Sequence, residues 1–535
     1  MKTNYKVLVS DPLGDRGLEI FKKEPQIEVD VRTGLGAAEL KKIIGNYDAI
    51  VVRSSTHLTK EIIQEAKRLK IIGRAGVGVD NVDLATATKQ GVIVMNTPEG
   101  NTISTCEHTM SLLMALARNI PQACASVREG EWKRTQFMGT ELNGKVLGII
   151  GFGRIGREVA VRANAFGMRV LAHDPFIAKE SIRQLGVEFT DFDTLLKTSD
   201  FVTLHVPLTE ATKNIINEKT LQMMKPGVSV INCARGGLID EKALYQAIKS
   251  GRARGAALDV FEEEPPGQNS LLAPDIANRV IATPHLGAAT QEAQENVGIS
   301  VAQQVVDALL ERGIRNAVNL PSLDFETMRV LKPWLVLAER IGSMHAQLFG
   351  GSFRDVSIRY GGEVTSFNVA PLTIGVIKGL LTPICGESVN YVNAPTIAKE
   401  RGIAVSESKT TQAEDFTTFI SVEVVMDHQK NLIMGTLFGN LDPRIVRINE
   451  FFLEAVPKGD VLVIHNEDEP GVVGGIGSIL GKNKVNIAEM TLGRVAKGAK
   501  TFAMTVINTD QTVPANVLKE LKAFRPIIDA KVIKF

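Results

Sequence analysis

Apolar and polar residues alternate along this chain in two rhythms. Short apolar runs of three to six residues, bounded by Gly, Asp, Asn or Pro, recur between segments in which apolar residues return every three or four positions. The runs predict buried strands, and the longer spacing predicts amphipathic helices. Residues 5–10, 27–31, 49–52 and 71–74 read as strands, with helices over 14–21, 37–44 and 60–66 between them. Residues 101–116 predict a long apolar helix that crosses to a second unit. There the alternation resumes, with strands at 146–150, 169–172, 187–189, 201–205, 228–232, 255–259 and 280–282 and helices at 192–198, 220–224 and 241–249. Such alternation predicts open, mostly parallel sheets covered by helices. A helix over 290–312 is long enough to return the chain to the first unit, which makes that domain discontinuous.

Beyond Pro321 the character changes. A helix at 327–349 and strands at 356–360 and 420–426 read as an α+β unit without a glycine fingerprint. After Pro457-Lys-Gly459 the order is strand 460–465, helix 471–480, strands 485–494 and 500–508, helix 514–523 and strand 527–533, a ferredoxin-like βαββαβ pattern. The expected fold class is α/β with two doubly wound parallel-sheet (Rossmann-like) domains, an α+β intervening domain and a C-terminal ferredoxin-like unit. The expected boundaries are 1–100 with 287–316, 101–286, 317–456 and 460–535.

Composition narrows the function class. The formal net charge of +1 gives no electrostatic footprint for nucleic acid or a membrane surface. Cys106, Cys124, Cys233 and Cys385 are scattered without paired spacing, so neither a metal site nor a disulfide framework is expected. The chain enters a strand at once, leaving no room for a leader, and no apolar run reaches membrane-spanning length. The expectation is a cytoplasmic protein with a small-molecule substrate.

The densest signal lies at residues 145–175. An apolar strand feeds Gly151-Phe-Gly-Arg-Ile-Gly156, a helical pattern carries Val159, Ala160, Ala163 and Phe166 to a stop at Gly167, and a second strand ends near Asp174. This is the sequence form of a dinucleotide-binding unit. Gly151 allows the tight turn, Gly153 lets backbone amides approach a pyrophosphate, and Gly156 brings the helix close to the sheet. Asp174 accepts ribose hydroxyls and would repel a 2′-phosphate, which favours NAD over NADP.

Polar residues at the ends of apolar runs supply the candidate chemistry. Arg53 and Arg74 stand at strand ends of the first unit, as rim charges or as an anion site. Arg235, Asp259, Glu264 and His285 stand at or just beyond strand ends of the second. Hydride transfer from a 2-hydroxy acid needs a cation for the carboxylate, which suits Arg235. It needs an acid–base group near neutral pH, which suits His285, and a carboxylate to orient that imidazole, which suits Glu264. His108, His173, His205 and His345 have no assigned acidic partner and read as structural.

Five stretches together resemble the D-isomer-specific 2-hydroxyacid dehydrogenase family: Arg74-Ala-Gly-Val-Gly-Val-Asp-Asn-Val-Asp83, Gly151 to Gly156, Asn232-Cys-Ala-Arg-Gly-Gly237, Leu258-Asp-Val-Phe-Glu-Glu-Glu-Pro265 and Thr283-Pro-His-Leu-Gly-Ala288. The resemblance implies Arg235, Glu264 and His285 as catalytic residues. It implies cofactor contacts at Gly151, Gly153, Arg154, Ile155, Gly156, Asp174, Val206, Cys233, Ala234, Arg235, Asp259, His285, Gly287 and Ala288. Arg53, Arg74 and Arg134, the last in the loop Glu131-Trp-Lys-Arg134, become phosphate contacts. Where many relatives carry threonine after Arg-Ala-Gly, this chain has Val77, which removes a hydroxyl from the substrate side.

The rest of the chain resembles the long members of that family. Residues 392–402 are similar to their intervening domain. Ile464-His-Asn-Glu-Asp-Glu-Pro-Gly-Val-Val473, with Val485-Asn486-Ile487, is similar to an ACT domain, an amino-acid-binding module that pairs across subunits. The resemblance implies oxidation of D-3-phosphoglycerate with NAD, L-serine as effector at Asn466, Asp468 and Asn486, and a homo-oligomer, a tetramer. Residues 448–454 are apolar and acidic, which speaks against the anion-binding basic cluster that some long relatives carry. Two alternatives stay open: the same site acting on another D-2-hydroxy acid such as 2-hydroxyglutarate, and an NAD-sensing binding protein.

Overall fold

In the computed structural model, which describes residues 4–177, 186–410, 412, 416–426 and 429–535, the first apolar runs form one parallel sheet. Its strands are β1 (Tyr5–Val9), β2 (Ile27–Val31), β3 (Ala49–Val52), β4 (Ile71–Arg74) and β5 (Ile93–Met95), in the order β2-β1-β3-β4-β5. Helices α1 (Asp15–Lys22), α2 (Ala37–Ile43), α3 (Lys60–Glu65) and α4 (Leu84–Lys89) connect them. All four residues of β3 are buried, because helices cover both sheet faces and no position needs to be polar. Met1 to Thr3, part of the start read above as leaving no room for a leader, lie outside the described residues.

Helix α5 (Thr102–Arg118) crosses to the second sheet, and α6 (Ile120–Arg128) follows the left-handed Asn119. The second sheet holds β6 (Val146–Ile150), β7 (Arg169–His173), β8 (Val187–Phe189), β9 (Phe201–Leu204), β10 (Val228–Asn232), β11 (Ala253–Leu258) and β12 (Val280–Ala282). Helices α7 (Arg154–Ala165), α8 (Phe192–Thr198), α9 (Glu218–Met223) and α10 (Glu241–Lys249) lie between them. All pairings are parallel and the order is β12-β11-β10-β9-β6-β7-β8, so the chain reverses direction across the sheet between β6 and β9. Ligands of doubly wound sheets bind at that switch point. Phe166 does not belong to the core as its spacing suggested. It caps the C-terminus of α7, one residue past the last buried turn, and is 44% exposed.

Helix α11 (Gln291–Leu309) returns to the first sheet, where Val301, Val305 and Leu309 share a core with Val7, Val51 and Ile71. The third unit comprises α12 (Phe325–Phe349), β13 (Phe353–Gly361), α13 (Ala370–Cys385), α14 (Ala394–Glu400), β14 (Ala404–Thr410), β15 (Phe419–Met426), β16 (Gln429–Phe438), β17 (Asp442–Ile448) and β18 (Phe451–Ala455). Its sheet runs β14-β13-β15-β16-β17-β18, parallel only between β13 and β14. Helices α12 and α13 pack so closely that a Cβ on Gly342 would fall 2.1 Å from the Val376 carbonyl oxygen. Only glycine permits that approach.

The last unit holds β19 (Asp460–Glu467), α15 (Val472–Lys482), β20 (Ile487–Lys497), β21 (Lys500–Thr509), α16 (Ala515–Ala523) and β22 (Ile527–Lys534). Its strands pair antiparallel in the order β20-β21-β19-β22, the ferredoxin-like arrangement. One face of β19, with Leu462 and Ile464, packs under the helices beside Ile476 and Leu480. The other, with Val461 and Val463, joins the core of the third unit beside Leu337 and Ile341. No helix among the described residues is long and apolar enough to cross a membrane.

Candidate active site

The switch point is built by glycines. At Gly151 φ is 92°, and a Cβ there would lie 2.5 Å from the His205 carbonyl oxygen, beside Val206. Gly153 caps α7 without any side-chain hydrogen bond, and a Cβ on it would meet no protein atom within 4 Å. Packing therefore does not demand glycine at 153. An open space in front of unsatisfied helix amides does, and it fits a pyrophosphate. Gly156 lets α7 settle onto the turn, since a Cβ would fall 2.3 Å from the Gly151 carbonyl oxygen. Asp174 accepts the Phe152 amide on one carboxylate oxygen and the Phe176 amide on the other, each at 2.9 Å. Each oxygen keeps a lone pair for a ribose hydroxyl.

The neighbouring residues complete this pocket. Ile155 packs against the second unit's core, and Arg154 reaches Glu99 at 3.4 Å. Burial pushes the Cys233 thiol up to about 12, so it stays a neutral wall, and the Ala234 amide donates to Asn232. Gly287 and Ala288 follow in the turn after β12.

Three neighbouring strands deliver the catalytic candidates at their carboxyl ends: Arg235 after β10, Asp259 after β11 and His285 after β12. His285 Nδ1 lies 2.7 Å from Glu264 Oε2, and the other Glu264 oxygen accepts the Phe261 amide at 3.2 Å. The pair therefore forms, although 21 residues separate its members. A cavity of about 420 Å³, lined by Asp259, Phe261, Glu264, Thr283 and His285, opens beside it. His285 itself has φ 58°, a left-handed conformation uncommon for a residue with a side chain.

His108 corrects the sequence expectation that it lacks an acidic partner. Its Nε2 lies 3.1 Å from Asp259 Oδ1 and 3.1 Å from Thr283 Oγ1. Asp259 is 1% exposed. Burial alone would raise its pKa, but hydrogen bonds from His108, Thr283 and the Leu286 amide outweigh that and hold it below the usual carboxylate range. His173, His205 and His345 bond to Thr190, Thr203 and Val422 respectively.

A second charge cluster faces this one from the first unit. Arg235 Nε donates to Asp80 Oδ2 at 3.1 Å, an ion pair between the two α/β units that sequence reasoning missed. Asp80 lies inside a quoted motif but bears no spacing relation to Arg235. Burial, with the Arg235 and Arg53 guanidiniums close by, pushes Arg74 down to about 10, with Asp80 and Asp11 opposing. The Arg74 Nε is buried with no hydrogen-bond partner. The Arg53 turn is fixed by the Asp11 carboxylate, which accepts its amide, and by Asn81, which donates to its carbonyl. Arg53, Arg74 and Arg235 thus form a positive group with too few carboxylates to neutralise it. Val77 adjoins it and offers no hydroxyl. Arg134 stands apart, exposed at the start of a short 3-10 turn (Arg134–Phe137) with Trp132 at 79% exposure, and no hydrogen bond or ion pair among the described residues joins it to the group.

In the last unit the structure corrects the placement of Asn466, read above as part of a loop. Asn466 is not on a loop: β19 continues to Glu467, and Asn466 is 1% exposed, donating to the Glu467 carbonyl. Its Oδ1 is buried without a partner. Asp468 is engaged by Arg494 Nε at 2.6 Å, and Asn486 donates to Asp510 at 2.6 Å.

Comparison with known proteins converges on one family. Residues 110–287 match the D-isomer specific 2-hydroxyacid dehydrogenase, NAD binding domain. Residues 330–449 match the D-3-phosphoglycerate dehydrogenase intervening domain, and residues 461–526 match the ACT domain. D-3-phosphoglycerate dehydrogenase of Archaeoglobus fulgidus is 44% identical over 530 residues, covering 99% of this chain and 100% of that one. The enzyme of the same name from Methanocaldococcus jannaschii is 45% identical over 99% of both chains. This chain belongs to the D-3-phosphoglycerate dehydrogenase family. As a member of that family it is an NAD-dependent dehydrogenase, and its last unit is an ACT domain. Solved structures extend the likeness beyond the D-3-phosphoglycerate dehydrogenase family. D-lactate dehydrogenase of Aquifex aeolicus, complexed with NAD and lactic acid, is 31% identical with a TM-score of 0.53, covering 59% of this chain and 100% of that one. A glyoxylate reductase from Paecilomyes thermophila is 32% identical with a TM-score of 0.55, covering 59% and 99%.

Proposed function

We propose that this enzyme oxidises D-3-phosphoglycerate to 3-phosphohydroxypyruvate, the first step of L-serine biosynthesis, with L-serine as feedback effector at the ACT domain. The observation that carries the substrate choice is the Arg53, Arg74 and Arg235 group, whose uncompensated charge suits a small acid bearing both a carboxylate and a phosphate. Bound NAD supplies the hydride acceptor. Arg235 holds the substrate carboxylate and stabilises charge developing on the C2 oxygen. Glu264 takes the Nδ1 proton side of His285, which leaves Nε2 to accept the C2 hydroxyl proton. Arg53 and Arg74 hold the phosphate. Residues 1–100 and 287–316 act as the substrate-binding domain and residues 101–286 as the NAD-binding domain, closing over the substrate to exclude water.

Assembly follows the same reading. Trp132 and Met138, both more than three-quarters exposed, flank Arg134, with Ile120 and Val127 exposed nearby in sequence on α6. Apolar surface of this extent favours a second copy of the chain. The enzyme works as a cytoplasmic homotetramer, with Arg134 completing a phosphate site after assembly. The substrate reading is tested by comparing kcat/KM for D-3-phosphoglycerate and D-2-hydroxyglutarate before and after Arg53→Ala. The substitution is expected to cut the phosphate ester's value by about tenfold or more and the glutarate's far less. Equal losses, or a parent enzyme that prefers the glutarate, would refute it.

A further inference from the structure

The helix that joins the two α/β units also grips the segment that carries His285. On the first turn of α5, Ser104 and Thr105 donate their hydroxyls to the Gly287 carbonyl at 2.8 and 3.1 Å. One turn on, His108 Nε2 faces Asp259 Oδ1 and Thr283 Oγ1, both at 3.1 Å. Positions 104, 105 and 108 share one helix face.

The grip continues through Asp259. Its carboxylate accepts the Thr283 hydroxyl at 2.6 Å, the Leu286 amide at 2.7 Å and the Gly287 amide at 2.8 Å. Its carbonyl accepts the His285 amide at 2.9 Å. Residues 283, 286 and 287 are therefore pinned to one buried carboxylate, and His285 among them keeps a left-handed backbone that surrounding contacts must impose. The Asp259 side chain is fully buried and His108 is 18% exposed, so this contact lies largely inside the protein. The catalytic pair of His285 with Glu264 leaves His108 unused.

We propose that His108 is a positioning residue for the dehydrogenation: by holding Asp259 and Thr283 it fixes the turn that aims His285, and it ties that turn to the helix linking the two units. The proposal rests on the reading of His285 as the acid–base group. A buried carboxylate that loses one donor keeps three others, so the chain still folds, but its Oδ1 and Thr283 are free to shift. Displacement of a reacting group by a fraction of an ångström to an ångström costs one to two orders of magnitude in rate.

Two amides of different reach provide the test. Glutamine at 108 places a donor where Nε2 stands, whereas asparagine reaches only to the position of Nδ1. His108→Asn is expected to lower kcat by about tenfold or more, with both KM values within about twofold, while His108→Gln keeps kcat within about threefold. Both substitutions are polar and similar in volume, so a generic packing role would affect them alike. In a His285→Ala background, His108→Asn is expected to cost less than about twofold further, because the aimed group is gone. Equal kcat for the two amide variants, or a full additional loss without His285, overturns the positioning role. Failure of the His285 reading shows separately, as turnover retained by His285→Ala alone.

Discussion

Replacing Arg74 by methionine separates stability from substrate binding. Burial and the neighbouring Arg235 and Arg53 lower the Arg74 pKa to about 10 from 12.5, so the folded chain holds this proton less tightly than the unfolded chain does. At neutral pH the guanidinium is charged in both states, and that difference opposes folding by on the order of 3 kcal/mol. The opposition is complete below the folded pKa and vanishes only above the unfolded one. Methionine keeps much of the apolar stem and removes the charge. The ligand-free Arg74→Met enzyme is therefore expected to gain about 1–3 kcal/mol, read as a raised thermal midpoint. The same change removes a charge-assisted contact of about 1.5–3 kcal/mol, so KM for D-3-phosphoglycerate rises about 10- to 100-fold. Inorganic phosphate, a stand-in for the substrate's ester, should raise the midpoint of the parent more than that of the variant. A variant that melts lower and keeps its KM would refute the reasoning, since Arg74 would then be a satisfied structural residue.

Glu264→Gln keeps the shape of the His285 partner but not its charge, so the carboxylate that orients the imidazole through Nδ1 is lost; kcat should fall about tenfold in initial-rate assays with little change in KM. Asp174→Ala removes the group that repels a 2′-phosphate, so the ratio of kcat/KM for NAD over NADP should drop by about tenfold or more, and an unchanged ratio would remove Asp174 from the ribose site. His205 and His345 are pushed down to about 4 by burial, from 6.5. Because the unfolded chain takes up those protons first, stability is complete above about pH 6.5 and declines toward pH 4, by on the order of 3 kcal/mol for each histidine. Thermal midpoints measured across that window should fall, and His345→Gln should flatten the decline; a midpoint that holds constant from pH 6.5 to 4.5 would contradict this.

Much of this was readable because local pattern and tertiary role coincided. The dinucleotide unit carries its whole logic within thirty-odd residues, so glycines, helix and acid could be assigned before any contact was known. The ferredoxin-like tail was legible because its strand and helix order is local, although β19 is buried on both faces and shares one of them with the third unit. Helix α13 was not, because it is largely apolar around its circumference and packs between α12 and α14, leaving little polar face to mark a period. Helix α6 escaped for the opposite reason: Ser126 alone is buried, and its apolar residues point outward. Edge strand β14 has no buried apolar stripe at all.

The site shows the same division. Arg235 and His285 were legible as strand-end residues, and the His285–Glu264 pairing expected from them forms at 2.7 Å. His108 was passed over because its partner Asp259 stands just past the end of β11, far along the chain. Asp80 was passed over likewise, paired with Arg235 across 155 residues. Asn466 misled in the other direction: a polar residue before Pro-Gly reads as loop, yet strand pairing with Ala503 continues through it and buries it. Sequence spacing reports neighbours within an element, and these three depend on neighbours between elements.

The most direct test of the central claim is the initial rate of NADH formation from NAD and D-3-phosphoglycerate by the full-length enzyme, with and without L-serine. The account predicts turnover that requires the phosphorylated substrate and falls when L-serine is added. Absence of NADH formation by an enzyme that still binds NAD would contradict it.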